Sequence, residues 1–143
     1  MNLVIDIGNT RAKLCAFDGD KASDLRFCDP RQDSVLALAL DMCAQHGIGS
    51  CIVCSVNGGT CGLARSLVEA NVSVLEFSSL TPVPISSVYG TPGTLGADRL
   101  AAAVGAHALF PDSDTLIIDA GTAITYDYLR NGREFAGGNI APG

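Results

Sequence analysis

Residues 116–123 read L-I-I-D-A-G-T-A, and residues 3–10 read L-V-I-D-I-G-N-T. Leu3, Ile5, Asp6 and Gly8 recur as Leu116, Ile118, Asp119 and Gly121 at a constant offset, 119 − 6 = 113 and 121 − 8 = 113. Each copy runs from apolar residues into a carboxylate, then a glycine and small residues, then a second apolar run. A turn follows each: Asp18-Gly19-Asp20 after the first and Asn131-Gly132 after the second, the latter a strong hairpin signal. A strand–turn–strand repeated in register marks a duplicated unit. On this reading residues 1–113 are a first domain. Residues 114–143 are the opening strands of a second, too few to bury a sheet face of their own.

Outward from the first copy, residues 2–7 and 12–17 form a hairpin about Gly8–Arg11, and Asp24–Cys28 is a third strand. Residues 33–47 have helical spacing (Val35, Leu36, Leu38, Ala39, Leu40, Met42, Cys43), with Asp33 or Ser34 placed to cap the start and Gly47 the end. Cys51–Val56 reads as a buried strand, 60–70 as a helix and Val72–Phe77 as a strand. The stretch SSLTPVPISSVYGTPGT, residues 78–94, holds three prolines and reads as a surface loop. Ala97–Phe110 is helical, 115–119 and 124–129 are strands, and Glu134–Ala136 starts a returning strand before GGNIAPG. Three strands followed by alternating helices and strands predict an α/β fold, a mixed sheet flanked by helices.

The bulk numbers narrow the function classes. The 143 residues are 48% hydrophobic, enough for a core, and 17% charged with 16 glycines, the mix of a tight loop-capped domain. Net charge is −6, and nine Lys and Arg are spread thinly, so no nucleic acid partner is expected. An anionic ligand must then be held locally, by backbone amides, a cation or a few placed basic residues. No apolar run approaches the roughly 18 residues of a membrane helix, and the N-terminus enters a strand without a basic leader. The expectation is a cytoplasmic protein with reduced thiols. Cys51-Ile-Val-Cys54 is read as packing, because strand residues three apart face opposite ways and no second pair or histidine follows.

The repeated loop has the makings of a phosphate site. Gly8 lets the backbone approach a ligand, and turn amides hold phosphate oxygens. Asn9 and Thr10 add side-chain donors, and Lys13 supplies a point charge. Asp6 cannot bind phosphate and suits Mg²⁺, or a water on it. The competing reading is an ordinary hairpin turn, which favours the same residues. In TPGTLGADRLAAA, residues 91–103, Asp98 and Arg99 fall in the first turn of a helix. Asp98 suits the helix dipole there and Arg99 opposes it, a conflict that gives Arg99 either a job or only a solvated surface place. His46 and His107 read as surface or satisfied core histidines. Ser86 and Ser87 form no nucleophile elbow.

Taken together, D-I-G-N-T-R-A-K (6–13), Y-G-T-P-G-T-L-G-A-D-R (89–99), D-A-G-T-A-I-T-Y-D (119–127) and G-G-N-I-A-P-G (137–143) resemble type III pantothenate kinase, in order and spacing. That family belongs to the superfamily of acetate and sugar kinases, chaperone ATPases and actin, with duplicated ribonuclease-H-like domains. The resemblance implies transfer of the ATP γ-phosphoryl group to pantothenate, giving 4'-phosphopantothenate in the first step of coenzyme A biosynthesis. It implies that Asp6, Ile7, Gly8, Asn9, Thr10, Arg11, Ala12 and Lys13 form the first phosphate loop and that Thr122 contacts ATP. It makes Asp98 the proton acceptor, with Tyr89, Gly96, Ala97 and Arg99 lining the substrate site. Asp119 would hold K⁺ or NH₄⁺, Mg²⁺ would accompany ATP, and the protein would be a homodimer. The family's second domain continues for about another hundred residues, so the 143-residue chain alone is expected to be poorly active. The competing functions are a catalytically silent accessory relative and a superfamily kinase for another small substrate.

Overall fold

The computed structural model describes all residues except Asn57, Gly58 and Thr91, so Thr91 of the 89–99 segment lies outside the described residues. The chain forms two compact units, Met1–Phe77 and Ser78–Gly143.

In the first unit the expected hairpin and third strand are β1 (Asn2–Ile7), β2 (Ala12–Asp18) and β3 (Lys21–Cys28). Helix α1 (Gln32–His46), β4 (Ser50–Ser55), α2 (Cys61–Glu69) and β5 (Ser73–Glu76) follow. The sheet order is β3-β2-β1-β4-β5. β1, β2 and β3 are antiparallel neighbours, and β4 and β5 run parallel to β1, which is the ribonuclease-H-like arrangement. Strand alternation sends Leu3 and Ile5 of β1 and Leu14 and Ala16 of β2 to one face. There they pack with Val35, Ala39 and Met42 of α1 and Leu63 and Leu67 of α2.

Helix α1 starts earlier than Asp33 or Ser34 would have it. Its N-cap is Arg31, which makes no side-chain cap, and the turn before the helix is organised by Asp29, whose Oδ1 accepts from the Arg31 N–H at 2.9 Å. At the other end Gly47 takes the left-handed conformation (φ 61°) and closes the helix as expected.

The second unit carries β6 (Ser86–Ser87), a 3₁₀ turn at Pro92–Thr94, α3 (Ala97–Leu109), β7 (Thr115–Ala120), β8 (Ala123–Arg130) and β9 (Glu134–Pro142), with sheet order β6-β9-β8-β7. Two features differ from the sequence reading. The proline-rich stretch is not all loop: Ser86 and Val88 N–H groups bond the Arg133 and Phe135 carbonyls, pairing β6 with β9. And GGNIAP continues β9 rather than ending it. Gly138 lies where any Cβ would run into the Tyr126 carbonyl, so its bare backbone is what lets β9 pair closely with β8.

The repeat divides the chain at 113/114. Compactness divides it earlier, because α3 packs on β7 and β8. Among the described residues no helix is long and apolar enough to cross a membrane.

Candidate functional site

The first hairpin's loop has a tight backbone closure. The Gly8 N–H donates to the Arg11 carbonyl at 3.1 Å, and a Cβ on Gly8 would sit 3.1 Å from the same oxygen. Asn9, Thr10 and Arg11 are exposed, whereas Ala12 is fully buried, backbone included, and offers a ligand no surface here. Arg11 is drawn aside over the Phe27 ring, 5.5 Å from its centroid. Asp6 and Lys13 are register partners across β1 and β2, and Lys13 Nζ lies 3.4 Å from Asp6 Oδ2. Both side chains are partly open to water, so this pair is worth only about 0–1 kcal/mol, and an incoming phosphate can compete for Lys13. Beside Gly8 a cleft of about 220 Å³ opens at the C-terminal ends of β1 and β4, lined also by Ile7, Ser55, Thr60 and Gln32.

The second hairpin repeats the frame with different contents. Its loop is Gly121-Thr122, two residues against four, closed by the Gly121 N–H on the Ala123 carbonyl at 3.0 Å. Asp119 holds the position in β7 that Asp6 holds in β1, next to last, but its register partner is Thr125 rather than a lysine. Asp119 is exposed, and the oxygens of such a carboxylate suit a hard cation. Among the described residues no three His, Cys, Asp or Glu side chains gather as a metal cluster.

The start of α3 gathers four of the expected residues. Gly96 is its N-cap, with φ −60° and ψ 132°. The Asp98 carboxylate folds back over Gly96, into the space a Cβ there would fill. Arg99 is buried, 7% exposed, against Asp127 of β8, 1% exposed. Its Nε donates to Asp127 Oδ2 at 2.9 Å and to Oδ1 at 3.2 Å, and its Nη2 donates to Oδ1. The carboxylate pushes the Arg99 pKa up, more than burial pulls it down, and the Tyr89 side chain adds to the rise. The guanidinium stands 5.7 Å from the centre of the Tyr89 ring. Tyr89 in turn meets Phe135 at 6.2 Å, and Gly137 of β9 (φ +86°) leaves room for the ring edge.

The type III pantothenate kinase family model matches residues 2–143. This chain belongs to that family. A type III pantothenate kinase of Bacteroides fragilis is 44% identical over 146 residues, covering 100% of this chain and 58% of that protein. The chain thus spans less than two thirds of the length of this relative. Two solved structures share the fold at low identity. A Sinorhizobium meliloti protein described as a 2-dehydro-3-deoxygalactonokinase has TM-score 0.55 at 11% identity, over 98% of this chain and 53% of that one. The Aquifex aeolicus Ppx/GppA phosphatase has TM-score 0.53 at 14%, over 99% and 51%. A kinase and a phosphatase on one frame show that fold alone does not choose the chemistry.

Sequence reasoning missed Asp127. It closes the motif D-A-G-T-A-I-T-Y-D without a stated role, although period-2 alternation puts it on the buried face of β8 with Thr125 and Leu129. The clue was on the other side, in an arginine at the wrong end of a helix dipole. The remaining polar features are accounted for. His46 Nε2 lies 2.8 Å from Asp24 Oδ2, and His107 Nδ1 donates to the Gly132 carbonyl at 2.6 Å. Burial pushes the Cys51 thiol up to about 12, which makes it a packing group.

Proposed function

We propose that in the full-length protein this chain supplies the phosphate hairpin and the proton-accepting carboxylate of an ATP-dependent pantothenate kinase. The observation that carries the reading is Asp98. It stands at the start of α3 with its carboxylate folded over Gly96, next in sequence to Arg99, whose guanidinium lies by the Tyr89 ring, in a chain whose family is type III pantothenate kinase.

Phosphoryl transfer is mostly positioning and charge stabilisation. The Gly8–Arg11 loop and Lys13 hold phosphate oxygens, and Thr122 adds a contact from the second loop. Asp98 accepts the proton of the pantothenate primary hydroxyl as it attacks, and Tyr89, Gly96, Ala97 and Arg99 form the wall that receives pantothenate. Asp119 would hold K⁺ or NH₄⁺, and Asp6 would serve the Mg²⁺ that accompanies ATP. Bound there, these cations offset the negative charge of the transferring phosphoryl group. The division at 113/114, with two ancestral domains, belongs to the same proposal, as does a homodimer.

The test is steady-state turnover of the full-length protein with ATP, pantothenate and K⁺. Asp98→Asn should lower kcat by about 10²–10⁴. Gly96→Ala should keep the melting temperature, since φ −60° suits any residue, yet lower kcat by pushing the carboxylate aside. An Asp98→Asn protein with wild-type kcat would end this reading.

A further inference from the structure

We infer that Asp127 is a positioning residue of the acceptor wall. It acts on pantothenate affinity, not on the chemical step, by holding Arg99 beside Tyr89. The inference rests on the kinase reading above and goes beyond it by assigning a residue that reading leaves without a role.

Three observations carry it. First, the pair is buried and bidentate, with Nε and Nη2 of Arg99 both engaged by one carboxylate. A guanidinium held by two of its nitrogens has its plane fixed, which a single contact does not do. Second, the fixed plane stands beside Tyr89, whose ring also meets Phe135 and the bare backbone of Gly137. The ring is therefore held between β9 and a guanidinium whose orientation Asp127 sets. Third, Arg99 directly follows Asp98 on α3, and its tether to β8 anchors that first turn to the sheet. Tyr89 and the turn of α3 thus become one preset surface. Preorganisation of this kind lowers the cost of binding. It also means Arg99 meets the substrate as half of a neutral pair, not as a free cation.

The experiment compares wild type, Asp127→Asn, Tyr89→Ala and the double variant in the full-length enzyme, measuring kcat and the KM for pantothenate and for ATP separately. Asp127→Asn should raise the pantothenate KM about tenfold, with kcat within about threefold and the ATP KM unchanged. The double variant should be no worse than Tyr89→Ala alone, because both act through the same ring. An unchanged pantothenate KM, a kcat loss without a KM change, or multiplying KM effects in the double variant would overturn the inference. If Asp127→Asn does not fold, Asp127→Glu is measured in its place, which keeps the charge pair and Arg99 but displaces the carboxylate and with it the guanidinium plane. A raised pantothenate KM in that folded protein supports positioning, and a normal one overturns it. A wild-type enzyme that does not turn over pantothenate removes the kinase reading with this one. An active wild type with an indifferent Asp127→Asn removes this one alone.

Discussion

The hairpins β1–β2 and β7–β8 begin from nearly the same sequence and end with different chemistry. Both place a carboxylate next to last in the incoming strand and a glycine at the turn. What differs is the residue across the ladder. Asp6 faces Lys13, and Asp119 faces Thr125. On the proposed function the first loop, with a lysine across the ladder, takes phosphate, and the second, with a threonine there, takes a cation. The faces differ too. Within these 143 residues Leu3 and Ile5 are 0% exposed, packed with α1 and α2, while Leu116 and Ile118 are 61% and 57% exposed, in a chain that spans 58% of its Bacteroides fragilis relative. A repeated segment therefore sets the frame, and the cross-strand neighbours tell the two copies apart.

The largest expected contrast is in packing. Leu3→Ala should destabilise its unit by about 2–5 kcal/mol, the range for a buried leucine. Leu116→Ala should stay within about 0.5 kcal/mol, as at surface sites. Denaturant titration of this 143-residue chain measures both, and equal losses would erase the contrast. A smaller one lies at the turns. A Cβ on Gly8 meets the Arg11 carbonyl at 3.1 Å, and one on Gly121 meets the Ala123 carbonyl at 3.7 Å. Gly8→Ala should cost about 1 kcal/mol and Gly121→Ala close to nothing. Thermal melts of the two variants check this, and a costlier Gly121→Ala would reverse the comparison.

The smallest effect concerns acid. Asp24 in the first unit is held below the ordinary carboxylate value of 3.8, first by hydrogen bonding from Arg26 and then from His46. Asp114 in the second is held below it, first by the Asn131 N–H and then by Tyr128. A depressed folded-state pKa stabilises above the unfolded value, and that stability fades as pH falls through the folded one. Asp24→Asn and Asp114→Asn should each flatten the stability profile below about pH 4. Stability measured from pH 2 to 7 shows this, and a change of slope confined to neutral pH would contradict it.

How much of this was legible depended on range. The repeat, the hairpins and the helices are local patterns and could be read directly. The cap of α1 was misplaced because Asp29 organises a turn ahead of the helix, outside the window where caps are sought. β6 is two residues of parallel pairing, too short to leave a period. The glycines of β9 look like loop and serve a close strand approach. Asp127 is 28 residues from Arg99, so nothing local links them; only the mismatch between Arg99 and its helix end hinted at a partner.

The division of labour between the two hairpins has one direct test. Turnover of the full-length enzyme is measured against ATP and against K⁺ for Lys13→Met and Asp119→Asn. The account predicts that Lys13→Met raises the ATP KM and keeps activation by K⁺, whereas Asp119→Asn loses that activation. Loss of K⁺ activation in Lys13→Met, or its full retention in Asp119→Asn, would contradict it.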